Sequence, residues 1–464
     1  MATTKTRAGA GTAAKVRKRD TGEAGNRGEF AAVTRDEAEV AISQAAPGAE
    51  VGEEVEIDPS ARIDESARIG DGCVIGADVT LGPDVTLGEG VVIGDGSTVG
   101  AGTRIDDGAW LAEAVTAGEG VSIGEGSIVQ ERAALHDGVI LREDVSVGAG
   151  SRIGRDTQVD PDTRIGAHVT VDENARIGES SELADNAVIR HSAVIGEQVS
   201  IGKSAEIQAG ATVGDGSTIG SRSRLEGKFG DELSVGSRAR LLGAATWGQR
   251  VRIGDGVKVQ SDERSRFADD TDLGEKATIT DAVVTGELSM GEGASIKGGK
   301  EPATLEGDIA IGADATLTGA IHVYAGVEVG ESAQVESPSG RYPEDVTTEL
   351  DADCEVLDRA HIHSGVRLGA RTLVGSSAEV GKQAVTTVGT EIGDRAIVGD
   401  FSRLNGSVVS DDARIGHGVE TGHAADVGER SFIEDNAVIE AYARVEDDGY
   451  VRRGEIVREA TTTV

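Results

Sequence analysis

An aliphatic residue recurs at every sixth position over much of this chain. The series begins with Ile57, Ile63 and Ile69 and continues unbroken to Leu225, so that it holds 29 positions. Each is Ile, Val, Leu or, once, Ala117, and the residue two places before each is small or Val. Two inward positions in six residues match the alternation of a β-strand. The sequence therefore predicts one short strand and one corner, repeated as a solenoid.

Small side chains are expected to fill the core of this solenoid. Glycine accounts for 67 of the 464 residues and aromatic residues for only 2%, against roughly 7% glycine in ordinary domains. A glycine often follows the aliphatic residue, as at Gly70 and Gly76, and its conformational freedom suits a corner. Cys73 and Cys354 stand two places before an aliphatic position. We expect both to be small buried core residues and not reactive thiols.

These hexapeptides resemble those of the hexapeptide-repeat proteins, whose left-handed parallel β-helix makes one turn from three repeats. The resemblance implies an all-β, three-sided parallel β-helix, left-handed at least over residues 51–228. Such proteins are most often acyltransferases. They typically work as trimers, with a histidine as general base at a subunit interface and an inserted loop that covers the cofactor.

The period breaks and resumes, which predicts five regions. Residues 1–33 are expected to be a disordered basic tail, and residues 34–50 a short capping helix with a linker. Thr34 and Glu37 form a capping-box pattern there, and Pro47 ends it. Residues 51–228 are the regular β-helix, residues 229–345 an irregular one and residues 346–464 a C-terminal one. A stretch with Pro338 and Pro343 forms a loop or hinge.

A second pattern appears where the hexapeptides break, namely an aliphatic residue, any residue, Gly, any residue and an aliphatic residue. It stands at 225–229, 284–288, 305–309, 317–321 and 404–408. We interpret each as one strand with its glycine inside the core. The pattern, and the run from Thr304 to Val335, resemble bactofilins, which are polymer-forming cytoskeletal proteins. This resemblance implies self-assembly and a role in cell shape.

The charge balance limits the partners of this chain. It has 45 Lys and Arg against 82 Asp and Glu, a net charge of -37, which opposes binding to nucleic acid. Only 10 of the basic residues are Lys, as expected of a halophilic acidic protein in high-salt cytoplasm. Residues 1–30 carry a charge of +4; this tail either contacts an anionic membrane surface or is a solubilising or self-contacting tail. Because neither a signal core nor a membrane-length apolar run is found, we expect a cytoplasmic location.

Histidines are the candidate catalytic or metal-binding residues. His136, His168 and His191 are isolated, and we expect solvated surface imidazoles. Two further pairs are His361 with His363, which should point outward from one strand, and His417 with His423, which lie six residues apart.

A metal site that resembles the gamma class of carbonic anhydrases would need three convergent imidazoles. The two histidine pairs do not line up in the repeat. We therefore predict no catalytic, cofactor-binding or metal-ligating residue, and no cofactor. Trp247 occupies an inward position and is expected to mark a flared coil or a contact between segments, whereas Trp110 faces outward.

The predicted function is that of a self-assembling scaffold or cytoskeletal element. Its partner is itself, through coil ends or rod sides, because a β-helix ends in unpaired backbone groups and an open core. The alternative is a hexapeptide-repeat acyltransferase that acts on a sugar nucleotide or an acyl carrier.

Overall fold

The computed structural model describes residues 48–242, 246–260, 266–267, 269–280, 282–285, 288–297, 303–307, 309–318, 321–336 and 348–459. The chain divides into two units, Met1–Ile42 and Ser43–Val464, and every described residue belongs to the second. The predicted basic tail and capping helix lie outside the described residues.

Short β-strands follow one another along the whole described part of the chain. Thirty strands of two residues, from Glu50–Val51 (β1) to Arg224–Leu225 (β30), begin six residues apart. Nineteen less regular strands follow: Lys228–Phe229 (β31), Ser234–Val235 (β32), Arg240–Leu242 (β33), Thr246–Trp247 (β34), Arg252–Ile253 (β35), Lys258–Gln260 (β36), Arg266–Phe267 (β37), Asp272–Leu273 (β38), Thr278–Thr280 (β39), Ala282–Thr285 (β40), Leu288–Met290 (β41), Ser295–Lys297 (β42), Ala303–Glu306 (β43), Ile309–Ile311 (β44), Thr316–Thr318 (β45), Ile321–Val323 (β46), Glu328–Val329 (β47), Gln334–Val335 (β48) and Thr348–Leu350 (β49).

The six-residue spacing then returns. It places nine strands from Glu355–Val356 (β50) to Arg403–Leu404 (β58) and, after a single five-residue step, nine more from Val408–Val409 (β59) to Ile456–Val457 (β67). This shortened step lies where the sequence shows a slip of one residue. None of the segments that the structure describes is a helix able to cross a membrane.

Parallel pairing between strands three apart winds the chain into coils. Ile75, for example, lies opposite Ile93, and Ile93 opposite Leu111 one coil later. We name the three faces A (β1 and every third strand), B (β2 and every third strand) and C (β3 and every third strand). Faces B and C hold 22 strands each, and face A is divided between β37 and β40 into ladders of 13 and 10. The predicted all-β, three-sided parallel β-helix is confirmed; its left-handedness stays a prediction.

The core is a column of small and branched side chains. Ile93, Leu111 and Val129 are at most 1% exposed and stack along face B. In most coils the position two residues earlier is also buried and holds Ala, Val, Ser, Thr or Cys. Most polar groups at this position are satisfied. The hydroxyl of Ser97, for example, donates to the Ala112 carbonyl, 3.0 Å away, and accepts from the Val115 N–H, whereas the buried hydroxyl of Ser431 has no hydrogen-bond partner among the described residues.

Both cysteines belong to this inner column. Cys73 and Cys354 are 0% exposed and free, and each thiol donates to a carbonyl of the next coil, that of Gly88 at 3.1 Å and that of Gly369 at 3.2 Å. Their prediction as small buried core residues is confirmed.

The expected reason for the corner glycines is wrong. Gly70, directly after Ile69, does not have a positive φ; that conformation falls two residues later, at Gly72 with φ +66°. Many other residues adopt it at the equivalent place, such as Asp84 and Asn174. A Cβ on Gly70 would instead lie 2.5 Å from the carbonyl oxygen of Gly88. This glycine is therefore required by the close approach of the next coil.

The strings around single glycines are not single strands, which corrects that interpretation. At 225–229, β30 ends at Leu225, and β31 begins at Lys228 on the next face. Gly227 lies between them with φ +119°, and Gly307 and Gly406 occupy equivalent places at +73° and +53°. Each of these three strings is a shortened corner. In the first of them, Leu225 and Phe229 are buried on different faces because the corner has lost residues.

Strand pairing continues across the predicted region boundaries. β28 pairs with β31, and β48 pairs with β51 on the far side of residues 337–347. The division at 228 and 345 stays a prediction. Trp247 is 3% exposed and stacks on Phe229 one coil earlier, with ring centroids 5.9 Å apart, so it points into the core, whereas Trp110 faces outward beside the buried Leu111.

Candidate functional site

The isolated histidines lie where the sequence placed them. His136, His168 and His191 are all exposed, and His168 occupies a corner position with φ 56°. None of the three belongs to a group of metal-ligating side chains among the residues that the structure describes.

His361 points outward from strand β51 on face C, and His363 points outward from the position just after this strand, as predicted. They flank the fully buried Ile362, so the alternation of the strand puts both rings on the same surface. The ring centroids are 4.1 Å apart. Each imidazole is partly buried, with 32% of the His361 side chain and 20% of the His363 side chain exposed.

Glu336 reaches these rings from the coil before. Its backbone N–H donates to the Ile362 carbonyl at 2.7 Å, and its carbonyl accepts from the hydroxyl of Thr348 at 2.8 Å. Its carboxylate lies between the rings, with Oε1 3.0 Å from Nε2 of His361 and Oε2 3.2 Å from Nδ1 of His363. The backbone ladder therefore fixes the carboxylate in front of both imidazoles.

Glu379 completes the group from the coil after. Its Oε1 lies 2.8 Å from Nε2 of His363, so both ring nitrogens of His363 face carboxylates. Neither Glu336 nor Glu379 was singled out in the sequence. We name the four residues Glu336, His361, His363 and Glu379 the histidine–glutamate cluster.

The Glu336 carboxyl is held in its charged form. Partial burial acts to raise its pKa, but the contacts with the His361 and His363 imidazoles outweigh burial, so the pKa lies below its ordinary value. A carboxylate between two imidazoles suits two kinds of chemistry. It can ligate a metal ion together with the ring nitrogens, or it can orient an imidazole that accepts a proton.

His417 and His423 are not brought to the cluster. Nδ1 of His417 accepts from the Asp400 N–H at 2.9 Å, a structural role at a corner. His423 is exposed, and its ring meets that of Tyr442 edge-on with centroids 5.8 Å apart. The expectation that the two histidine pairs do not line up agrees with these positions.

The first coils carry a shallow acidic depression. Glu53, Asp71, Glu89 and Asp107 line it one above another. The aspartate carboxylates already form hydrogen bonds with the backbone, since Asp71 accepts from the Glu53 N–H and Asp107 accepts from the Glu89 N–H. This surface is therefore a corner of the β-helix and not a ligand pocket.

Two family models match parts of the chain. One is described as the GMPPB C-terminal domain and matches residues 57–153 and 135–229. The other is described as the hexapeptide repeat of succinyl-transferase and matches residues 365–400. Neither extends over residues 230–364, where the resemblance to bactofilins stays a prediction. No curated protein matches the chain.

Several solved structures are similar over part of their length. A perosamine N-acetyltransferase from Caulobacter crescentus, in complex with CoA and GDP-perosamine, is 28% identical; the match covers 25% of this chain and 52% of that one, with a TM-score of 0.22. A UDP-N-acetylglucosamine acyltransferase from Campylobacter jejuni is 21% identical over 38% of this chain and 68% of that one, with a TM-score of 0.25.

An Arabidopsis UDP-N-acetylglucosamine acyltransferase is 14% identical over 39% and 65% of the two chains, with a TM-score of 0.21. This chain thus spans about half the length of the perosamine N-acetyltransferase that it matches. The repeat and the stacked coils make this chain a β-helix built from hexapeptides, and residues 365–400 are similar to the hexapeptide repeat of succinyl-transferase.

Proposed function

We propose that this chain is a structural protein that assembles with copies of itself through the sides of its β-helix. The observation that carries the proposal is a pair of exposed aromatic rings on face C. Phe432 and Tyr450 are 44% and 58% exposed, and they stack with centroids 5.8 Å apart and planes 6° apart. Exposed apolar surface on an acidic chain is typical of an interaction site.

This aromatic pair extends a row of outward side chains. Ile397, Arg414, Phe432 and Tyr450 lie opposite one another in successive coils, and Ile397 is 36% exposed. The rings step along the helix at the strand spacing of about 4.8 Å. A second copy of this chain has outward groups at the same step, so it can match the row over several coils. Repulsion between two chains of net charge -37 is screened over about 3 Å in molar salt.

The experiment is sedimentation velocity in molar salt, with electron microscopy of the same samples. The wild-type chain should assemble into filaments, and the double variant Phe432→Ser, Tyr450→Ser should sediment as a smaller species with an unchanged circular dichroism spectrum. Tyr324→Ser is the matched control, because Tyr324 is an exposed aromatic residue outside the row. A wild-type chain that stays monomeric, or a double variant that assembles normally, contradicts side-to-side assembly.

Assembly through the coil ends is tested by a separate variant. Val457 is partly buried on the last described coil, and Val457→Asp places a charge where a stacked copy would lie. Loss of assembly in this variant alone assigns the contact to the end and removes the role given to the aromatic row.

The basic tail gives the scaffold a second contact, with an anionic membrane surface. Residues 1–30 carry a charge of +4, and basic segments are attracted to anionic lipid. Deletion of residues 2–30 should change the location of the protein in cells but leave its assembly intact. A deletion that abolishes assembly instead places the tail in the assembly contact.

A second candidate function, favoured by the comparisons, is acyl transfer to a sugar nucleotide or an acyl carrier. It is supported by the match to the hexapeptide repeat of succinyl-transferase at residues 365–400, next to the histidine–glutamate cluster. A histidine beside a carboxylate can act as a general base for an attacking hydroxyl or amine. In this chain His363 would do so once Glu379, whose side chain is 49% exposed, swings away from Nε2.

This candidate predicts release of free CoA from acetyl-CoA or succinyl-CoA when sugar nucleotides with a free amine or hydroxyl are added. His363→Ala should abolish the release, whereas the exposed His136→Ala should keep it. Discrete trimers in the electron microscope favour the transferase, and filaments favour the scaffold. Absence of transfer with the full panel of donors and acceptors contradicts it.

A further inference from the structure

We infer that Glu336, His361 and His363 bind a divalent transition-metal ion, with Zn²⁺ as the ion that fits them. This site goes beyond the proposed scaffold, which needs no metal. It also differs from acyl transfer, because it makes His363 a ligand and not a base. Three features of the cluster point to the ion: the spacing of the ligand atoms, the buried Nε2 of His361 and the contact of Glu379 with Nε2 of His363.

Each of the two ring nitrogens already stands close to the spacing of a tetrahedral site from an oxygen of Glu336. Nε2 of His361 and Nδ1 of His363 lie 3.0 and 3.2 Å from the two oxygens of Glu336, and one ligand atom from each residue lies within 4.8 Å of the others. Zinc bonds of about 2.0–2.1 Å at tetrahedral angles put neighbouring ligand atoms about 3.3 Å apart. Small side-chain rotations therefore suffice to close the three atoms around an ion.

One of these nitrogens is buried and unsatisfied. Nε2 of His361 is shielded from solvent and has no hydrogen-bond partner among the residues that the structure describes. It lies close to Glu336 Oε1, but not in the direction that a hydrogen bond requires. A buried polar atom without such a partner costs free energy. Coordination to a metal ion satisfies its lone pair.

Glu379 supplies the outer contact that metal-binding histidines commonly make. Its Oε1 lies 2.8 Å from Nε2 of His363 and can accept the proton of that nitrogen. Nδ1 of His363, which faces Glu336, is then left with its lone pair free for the ion. A carboxylate behind a ligating histidine fixes the tautomer and orients the ring.

The three ligands leave one coordination position open. Two histidines and one glutamate with a water in the fourth place form the donor set of several catalytic zinc sites. Between 20% and 44% of the three side chains is exposed, so a water or a small anionic ligand can reach the ion. The imidazoles also separate this site from the many carboxylates on the surface, since nitrogen ligands favour Zn²⁺ over Mg²⁺ or Ca²⁺.

The test is metal binding by the full-length chain without an affinity tag. The protein is stripped with a chelator and titrated with Zn²⁺ and with Co²⁺ in molar salt and excess Mg²⁺, which occupies the surface carboxylates. We expect one tight Zn²⁺ per chain and, with Co²⁺, the visible absorption of a tetrahedral nitrogen–oxygen site. His361→Ala and His363→Ala should each abolish tight binding, and Glu336→Gln should weaken it strongly.

Two further variants sharpen the result. Glu379→Gln should weaken binding 10- to 100-fold, as expected of an outer-shell partner, and His168→Ala should bind as the wild type does, because His168 is exposed and remote from the cluster. Circular dichroism of each variant checks the fold. Unchanged Zn²⁺ affinity and stoichiometry in folded His361→Ala and His363→Ala, or no tight Zn²⁺ in the wild type, overturns the proposal.

Discussion

The carboxylate of Asp107 accepts a hydrogen bond of 2.8 Å from the backbone N–H of Glu89, one coil earlier. The same contact recurs along the chain, for example from Ala167 to Asp185 at 2.9 Å and from Ser376 to Asp394 at 2.7 Å. Some of the acidic residues that give the net charge of -37 therefore connect neighbouring coils by hydrogen bonds, in addition to keeping the protein hydrated in salt.

Removal of one such carboxylate should loosen one corner. Asp107→Ala leaves the Glu89 N–H to water, and we expect a loss of about 1 kcal/mol in the free energy of unfolding, because bonds to charged acceptors exceed the usual hydrogen bond while exposure reduces their worth. The measurement is chemical denaturation. Glu125→Ala, which removes the same charge from an exposed corner side chain, should change stability by much less. Equal losses of stability in the two variants would falsify the role of Asp107 in connecting the coils.

The two glycines of one corner should respond differently to alanine. A Cβ on Gly70 would lie 2.5–3.0 Å from backbone atoms of Gly88 and Glu89, whereas a Cβ on Gly72 meets nothing within 4 Å. Gly70→Ala must push two coils apart and should cost several kcal/mol, as overpacking does. Gly72→Ala only places alanine at φ +66°, a cost of roughly 1–2 kcal/mol. Thermal denaturation of both variants measures the two losses of stability. A larger loss for Gly72→Ala than for Gly70→Ala contradicts this explanation.

The period of six was enough to place the strands but not to explain the glycines. Each inward aliphatic from Ile57 to Leu225 lies on a strand, as predicted. A glycine follows many of these aliphatic residues in the sequence. At Gly70, the pattern alone is equally compatible with a positive φ and with a close approach of neighbouring backbone. Only the distance to the next coil distinguishes these two reasons for a glycine, and a sequence pattern does not give that distance.

Two of the four residues of the histidine–glutamate cluster, the two histidines, were identified from the sequence. The outward direction of His361 and His363 follows from their places beside Ile362. Glu336 was missed because a regular coil brings together residues 18 apart, whereas Glu336 and His363 are separated by 27. This separation includes residues 337–347. An alignment of Val335 with Ile362 across that stretch would have put Glu336 beneath His363.

The cysteines should resist alkylation in the folded protein. Burial raises the pKa of the Cys354 thiol to about 11 and also raises that of Cys73. At pH 8 only about one in a thousand Cys354 side chains is then a thiolate, the form that reacts. We expect negligible labelling by a thiol reagent at pH 8, reaction of both cysteines after unfolding, and native labelling of Cys354 that rises towards pH 11. Rapid labelling of the native chain at pH 8 contradicts the burial of these thiols.

A charge inside the column of coils should be far more damaging than a change on its surface. Ile165 is 3% exposed and stacks between Val147 and Leu183 of the neighbouring coils. Ile165→Asp must either bury an unpaired carboxylate or separate these coils, at a cost of several kcal/mol. Because each coil contacts only its neighbours, the damage should stay local.

Hydrogen exchange should therefore show lost protection in the coils around Ile165 and retained protection in distant ones. Arg164→Ala, the outward neighbour on the same strand, should leave protection unchanged. Uniform loss of protection over the whole β-helix would instead show that the coils unfold as one cooperative unit.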